Sequence, residues 1–406
     1  MKELEYKMIK KTVLLEAKVN EGQFDVVKKW CKYVALLGVF LSLVFFITTD
    51  THHFYYSYLF SFSVFTTISL GAMFFVLIQF LSRAGWSVVV RRIPEYLMSN
   101  IGIMCVLFIP IIFGIHDLYH WSHADALMSD RILQGKVPYL NTVFFIVRAV
   151  FFFAVWLWIS KLFSGKSELQ DYDSNIEHTA LLQRCSPVAV ILFALTLTFG
   201  FIDWVMSLTP HWYSTIFGVY IFAGALVGFL ALNSIIYILL VKKGILKKSV
   251  TIEHFHDLGK LLYGFNVFWA YIAFSQYFLI WYGNIPEETV WYGHHFSGSW
   301  NTVAVLLAIG HFGIPFVLFM SRHAKRHLSF HFGMAIWMLM MHILDLYWII
   351  MPTVSPSGIH ISVTDISTFL AVGGIYFYVF IKMMSKGYLI PVNDPRIDES
   401  LKFENH

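Results

Sequence analysis

Long apolar runs constrain this sequence more than any other feature. A helix needs about 20 apolar residues to cross the roughly 30 Å hydrocarbon core of a bilayer, and each run approaches or exceeds that length. The runs lack the alternation of a β-barrel, and spans must satisfy their own backbone hydrogen bonds. We therefore predict an all-α integral membrane protein with about ten transmembrane helices. The runs occupy residues 33–49, 57–81, 97–115, 141–160, 187–206, 213–241, 261–282, 299–321, 328–351 and 364–384.

The composition agrees with a chain that lies mostly in lipid. Of its 406 residues, 58% are hydrophobic and 13% are charged, whereas soluble domains are roughly half apolar and a quarter charged. The net charge of +4 does not indicate a nucleic-acid partner, because the basic residues lie in short connections between apolar runs.

The sequence carries no motif that would hold a redox centre or a metal. Cys31, Cys105 and Cys185 share no close spacing, which excludes haem c attachment, CxxC pairs and iron–sulfur ligation by this chain. No phosphate-binding loop, nucleophile elbow or zinc signature occurs. We predict that the chain binds no cofactor or metal of its own, and we assign it no catalytic residue.

Alternate connections carry almost all the basic residues, which predicts the orientation of the chain. The opposite connections hold only Arg131 and Lys136, so the positive-inside rule places both termini in the cytoplasm. This orientation gives a cytoplasmic segment 1–32, a membrane domain 33–384 and a cytoplasmic C-terminal tail 385–406. The charged start of the sequence lacks a small-residue cleavage site and is not predicted to be a signal peptide.

Ionisable residues within the predicted spans are the candidate functional residues. A charge inside a span costs about 2.5–3.5 kcal/mol on insertion scales, so each one needs a partner or a water-filled cavity. His342 and Asp345 face one way on the ninth span, and His311 lies at a similar depth on the eighth. For these three, a proton relay, haem ligation and a structural hydrogen-bonded group all remain open. The proton-relay candidates are Arg148, Asp203, His311, His342 and Asp345.

A second ionisable cluster is expected at the outer ends of spans three to five. Such a cluster accepts hydrogen bonds from a quinol and releases its protons outward. His116 and His120 share a helix face if the helix extends that far. Alternatively, Asp203 pairs with Arg148 or with a histidine and holds the helices together. The expected members are His116, Asp117, His120 and His211, with Arg148 and Asp203 beneath them.

Several polar stretches resemble the NrfD-like membrane subunits of bacterial alternative complex III, a quinol:cytochrome c oxidoreductase. One is IDWVMSL at 202–208 with TPHWYSTIFGVYIFAG at 209–224. A second is HDLGKLLYGFNVFWAYIAFSQYFLIWYGNIPEET at 256–289. The segment LSRAGWSVVVRRIPE at 81–95 is similar to the shorter of the two homologous subunits, usually called ActF. The resemblance covers nearly all of the chain from about 30 to 390.

The resemblance implies two four-helix bundles, residues 57–206 and 213–351, with spans one and ten peripheral. It implies a cofactor-free subunit that supports quinol oxidation in a bacterial inner membrane. The implied partners are a sister NrfD-like subunit, an iron–sulfur subunit, haem c subunits and often a cytochrome oxidase. The sister subunit is the better candidate for quinol oxidation itself, and quinol binding by this chain stays open. For this chain the family suggests half-channels that move protons through Asp203, His311, His342 and Asp345.

Two other functions stay open, a secondary transporter and a purely structural scaffold of the complex. A transporter predicts interrupted helices with paired Gly or Pro breaks in both halves. The sequence offers scattered cases such as Pro110 and Pro315. A scaffold predicts that neutral replacements of Asp203 or His342 leave assembly and activity intact.

The predicted orientation can be tested with single cysteines in a chain whose Cys31, Cys105 and Cys185 are replaced by serine. We expect a membrane-impermeant maleimide to label Glu288→Cys in spheroplasts. The connection that contains Glu288 is predicted to lie on the outer side of the membrane. Lys247→Cys is expected to react only after the membrane is opened. The reverse labelling would contradict the predicted orientation.

Overall fold

The described part of the chain is built from helices. A computed structural model describes residues 16–20 and 22–405, so the predicted cytoplasmic segment 1–32 lies partly outside the described residues. The structure is 79% helical, and the described residues form no β-strand. The prediction of an all-α protein is confirmed.

Ten long helices, labelled α1–α10, follow one another through the described residues. Two of them are irregular. The helix α3 begins with the 3₁₀ turn Val88–Val90 and is offset at Asn100 and Phe108, and α8 contains the π-helical stretch Leu307–Gly313. The bounds are α1 Asp25–Thr48, α2 Thr51–Leu81, α3 Val88–Phe113, α4 Thr142–Asp173, α5 Glu177–Trp204, α6 Phe217–Lys242, α7 Ile252–Gly283, α8 Trp300–Leu318, α9 Leu328–Ile350 and α10 Val363–Met384.

Shorter helices lie in the connections and after α10. The longest connection, between α3 and α4, folds into several of them and covers the ends of its neighbours. Their bounds are Ile115–Leu118, Ala124–Ser129, Arg131–Lys136, Pro286–His295, Arg322–Arg326 and Ile397–Leu401.

Nine helices among the described residues are long and apolar enough to cross a membrane, which confirms a multi-pass membrane protein. The tenth, α7, has 32 residues but is less apolar, because Asn266, Gln276 and several tyrosines and tryptophans interrupt it. It contains the predicted run 261–282. Several helices extend beyond the predicted runs; α4, for example, continues to Asp173. Helices continue into polar sequence because backbone hydrogen bonding does not stop where the apolar run ends.

Hydrogen bonds near the ends of the long helices define two faces of the molecule. At one face the Leu389 amide donates to the Ala17 carbonyl at 2.8 Å. At the other, His53 Nε2 and Asp365 Oδ1 lie 3.2 Å apart, next to the starts of α2 and α10. We call the first the terminal face, because both ends of the described chain lie there, and the second the opposite face. Successive long helices run antiparallel between them.

The helices α2 and α6 form the centre of the structure. Nearly all their side chains are buried, and their backbones touch, since a Cβ on Gly71 would lie 2.4 Å from the Ala225 carbonyl oxygen. The helix α2 also packs against α3, α5 and α10, and α6 packs against α7 and α9. The candidate residues of α8 and α9 therefore face a helical core rather than lipid.

A buried ionic cluster holds the terminal face together. The Arg92 guanidinium pairs with Glu95 at 2.8 Å and also with Asp171. Arg91 pairs with Glu95 at 3.0 Å and with Asp394 at 2.6 Å. Two carboxylates for each buried guanidinium offset the free energy lost when these charges leave water. Because Asp394 is a member, the predicted tail is packed onto α3 and α4 over this stretch.

The contact between α1 and α10 depends on small residues, as is common between membrane helices. A Cβ on Gly38 would lie 2.2 Å from the Ala371 backbone nitrogen.

We expect Gly38→Ala to push the helices apart, to lower the free energy of unfolding by about 1–3 kcal/mol and to lower the thermal unfolding midpoint in detergent. Gly264→Ala on α7 is the control, because a Cβ there meets no described atom within 4 Å. Its midpoint should stay equal or rise, since alanine favours helix. Equal midpoints for both variants would contradict the close contact.

Candidate functional site

A set of polar side chains lies buried between α2, α6, α7, α8 and α9. Each member is 5% exposed or less. Three of them, His311, His342 and Asp345, are relay candidates from the sequence, and the structure surrounds them with a shared set of partners. We call the set the Asp345 group; it consists of Thr67, Tyr220, Asn266, Trp269, His311, His342 and Asp345.

Asp345 is held by two neutral donors from neighbouring helices. The Tyr220 hydroxyl on α6 donates to Oδ1, and the Trp269 indole on α7 donates to Oδ2 at 3.1 Å. Among the described residues Asp345 forms no ion pair. A carboxyl bound in this way can take up and release a proton without breaking a salt bridge.

His311 lies in the π-helical stretch of α8. Such stretches are rare and occur frequently at functional sites. The Nδ1 atom of His311 lies 3.0 Å from Asn266 Oδ1, and its ring stacks on Trp269 with centroids 3.7 Å apart. Trp269 therefore contacts both the carboxylate of Asp345 and the imidazole of His311.

His342 fits against two glycines of α6. A Cβ on Gly228 would lie 2.3 Å from His342 Cδ2, so the ring can occupy this position only because Gly228 has no side chain. The Cβ position of Gly224 is 3.4 Å from His342 Nδ1 and 3.7 Å from Asp345 Oδ2. On its other side, His342 Nε2 lies 3.1 Å from Thr67 Oγ1. The imidazole thus stands between α6 and α2, next to the carboxyl of Asp345.

Three buried nitrogen atoms of the Asp345 group have no hydrogen-bond partner within the described chain: His311 Nε2, His342 Nδ1 and Asn266 Nδ2. Buried polar atoms are normally paired, and those that are not often contact internal water. The bonds to Thr67 and Asn266 hold the two imidazoles in place, and the open nitrogen atoms are positions at which internal water can bind. Imidazole nitrogens that are free to exchange protons beside a carboxyl fit a relay.

Arg148 and Asp203 form a bidentate ion pair between α4 and α5. Arg148 Nε donates to Asp203 Oδ2 at 2.6 Å, and Nη2 donates to Oδ1 at 3.2 Å. Nη1 donates to the Tyr139 carbonyl at 2.8 Å, and the guanidinium lies 3.9 Å from the centroid of the Tyr139 ring. Because both charges are fully paired, the geometry favours the structural interpretation of these two residues.

The predicted outer histidines lie at the surface of the opposite face. The helix Ile115–Leu118 ends before His120, so His116 and His120 do not share a helix face. Both side chains are exposed. His116 Nδ1 lies 3.1 Å from the hydroxyl of Ser122, within its own connection.

Asp117 and His211 have partners of their own at the same face. The Thr51 hydroxyl donates to Asp117 at 3.2 Å. His211 contacts Asp130, and this hydrogen bond lowers the pKa of the Asp130 carboxyl. The rings of His116 and His120 both lie near that of His123, at centroid distances of 5.7 and 6.5 Å, whereas Asp117 and His211 have other partners. Among the described residues, no hydrogen bond or ion pair joins these four side chains to Arg148 or Asp203.

The sequence does not predict Tyr220, Trp269 or Thr67 as site residues. Aromatic and hydroxyl side chains in an apolar run look like ordinary helix packing until their partner is known. Their positions in the sequence could have indicated two of them. Tyr220 lies in the stretch 209–224 and Trp269 lies in the stretch 256–289, and both stretches carry the resemblance to NrfD-like subunits. Within the described residues, no three His, Cys, Asp or Glu side chains are grouped so as to hold a metal ion.

Removing one charge from the Arg148–Asp203 pair leaves the other buried and unpaired. We expect Asp203→Asn to destabilise the protein by about 3–5 kcal/mol, and the double variant Arg148→Met/Asp203→Leu to recover much of this loss. The measurement is denaturant unfolding in detergent. Arg396→Ala, which breaks the exposed pair with Glu399, is the control and should cost less than about 1 kcal/mol. A double variant no more stable than Asp203→Asn would contradict this account.

Comparisons with known proteins leave the family of this chain open. No model of a known protein family matches it, and no curated protein matches it. The resemblance to NrfD-like subunits therefore stays a prediction, and the function must be argued from the Asp345 group.

Proposed function

We propose that this chain is an integral membrane subunit of a bacterial quinol:cytochrome c oxidoreductase of the alternative complex III type, in which the Asp345 group carries protons. The observation that carries the proposal is a buried carboxyl with two neutral donors, next to imidazole nitrogens without partners. Ionisable groups inside membrane helices are costly, and such groups commonly mark proton pathways.

The proposed path begins at Asp345 and continues through His342. A protonated Asp345 gives its proton to the open Nδ1 of His342 through one intervening water. The imidazolium faces the Thr67 hydroxyl on α2 with Nε2, at 3.1 Å, and that hydroxyl donates to the Val64 carbonyl at 2.8 Å. Transfer from Nε2 through Thr67 therefore requires this hydroxyl to turn away from Val64, so that it passes on its own hydrogen as it accepts the new one. His311, whose Nε2 is also open, offers a branch on the side of α8.

In this proposal the chain supports quinol oxidation without holding a redox centre. A sister NrfD-like subunit, an iron–sulfur subunit and haem c subunits are the proposed partners, with a cytochrome oxidase as a neighbour. The chain lies in the bacterial inner membrane with both termini in the cytoplasm. The proposed bundles are α2–α5 and α6–α9, and the mutual contact of α1 and α10 at the side of α2 is compatible with peripheral positions for them.

A secondary transporter is the second candidate, favoured by the irregular helices α3 and α8. Transporters of this kind bind substrate where broken helices expose backbone groups. Here Phe108 in α3 keeps helical dihedrals, φ −77° and ψ −21°, and α8 changes to a π-helix without unwinding. Because the backbone of both helices stays helical, it offers few free backbone groups to a substrate. The geometry therefore favours the relay over the transporter.

Purification in mild detergent, with optical spectra and mass spectrometry of the copurifying chains, tests the assignment to a complex. We expect haem c and iron–sulfur subunits to accompany this chain, because the proposed redox centres belong to its partners. A stable, colourless protein that purifies alone would overturn the assignment and favour the transporter.

Asp345→Asn tests the proton path in the assembled complex. Since asparagine cannot carry the proton, we expect the number of protons moved per electron in proteoliposomes to fall while quinol turnover continues. The control is Asp365→Asn, another buried acid, which contacts His53 and Ser57 instead of the Asp345 group. The proposed path is wrong if both variants move as many protons as the parent complex.

A further inference from the structure

A large cavity lies between α7 and α8, on the side of the Asp345 group away from α2. Its volume is about 730 Å³, within the range of sites that bind small organic molecules. Half of its lining residues are aromatic, among them Trp269, Tyr277, Tyr292, Phe312 and Trp348. Flat aromatic walls favour a planar ring, which can stack against them.

The rim of the cavity faces the apolar surroundings of the helices. Tyr271 and Phe274 on α7 are 64% and 63% exposed, and Val305 on α8 is 50% exposed. Because α8 is apolar enough to span a membrane, a ligand reaches this rim from the bilayer. The ligand must therefore dissolve in lipid.

One end of the cavity carries a prepared hydrogen-bonding group. Gln276 is 4% exposed; its amide oxygen accepts from the Ser214 hydroxyl at 3.0 Å, and its amide nitrogen donates to the Tyr292 hydroxyl at 3.2 Å. The Tyr292 hydroxyl accepts this bond and keeps its own proton to donate to an oxygen in the cavity. The buried amide thus orients a phenolic donor toward the ligand.

The lining residues include no Asp, Glu, Lys or Arg. A charged headgroup would find no counter-ion there, so the occupant is neutral. The wall of the cavity includes Tyr220 and Trp269, the two donors that hold Asp345. A ligand in the cavity is therefore separated from Asp345 by the two side chains that donate to its carboxyl.

We propose that this cavity binds the ring of a quinone or quinol, with its isoprenoid tail leaving between α7 and α8. A neutral, planar, lipid-soluble ring with oxygens matches the aromatic walls, the uncharged lining and the Tyr292 donor together. An acyl chain would use none of the polar groups. The inference concerns binding and rests on the proposed function, because it places a substrate of that complex on this subunit.

Photolabelling of the intact complex with an azidonaphthoquinone, followed by peptide mass spectrometry, tests the site. We expect label within 267–277 and 301–312, and competition by unlabelled naphthoquinone. Ala308→Trp fills the cavity from an exposed position of α8 and should reduce this labelling at least tenfold. Ala154→Trp, at an exposed position of α4 outside the cavity, is the matched control and should leave it unchanged. Equal labelling of Ala308→Trp and the parent would overturn the proposal.

Tyr292→Phe removes only the hydroxyl and keeps the ring, so it tests the polar contact without filling the cavity. Loss of one hydrogen bond predicts roughly fivefold weaker competition by the unlabelled naphthoquinone. Unchanged competition, or a phospholipid recovered from the cavity in place of the label, would overturn the proposal.

Partner subunits are identified independently by copurification. A complex that assembles without this labelling refutes the quinone site alone, whereas a labelled chain without redox partners refutes the proposed function alone.

Discussion

Hydrocarbon offers no hydrogen-bond partner to a polar atom, and the structure is organised by how the chain supplies those partners itself. Near the two faces it uses full charge pairing, as at Arg92 and at Arg148. Around Asp345 it uses neutral donors instead. The first solution fixes a charge permanently, and the second leaves the protonation state free to change. This difference separates the structural acids of this protein from the acid that we assign to function.

The neutral donors can reach Asp345 because the surrounding helices approach one another closely. Gly71 of α2 lets that helix approach the backbone of α6, and Gly228 of α6 admits the His342 ring. The helix α6 also supplies the Tyr220 hydroxyl for Asp345. Packing and chemistry are therefore coupled in α6, and a side chain added at Gly228 would displace the imidazole before it affected the rest of the core.

The sequence predicts the helices well because each span must be apolar over a minimum length, whatever its neighbours are. It also identifies His342 and Asp345, since an ionisable residue in an apolar run is conspicuous. Contacts between segments that are far apart in the sequence leave no such local pattern. Nothing in the local sequence pairs Asp345 with Trp269, which is 76 positions away, or ends the short helix before His120. The placement of His116 and His120 follows from the irregular backbone of that connection, which periodicity does not predict.

The ionic cluster at the terminal face has a consequence for the order in which the protein is made. Arg91 pairs with Asp394, which follows it by 303 positions, and Ser400 lies 3.4 Å from His254 at the start of α7. Insertion of α3 thus precedes synthesis of one of its carboxylate partners by most of the chain. The terminal face cannot close there until residues 394–400 have been synthesised, so this segment packs against helices that were made long before it.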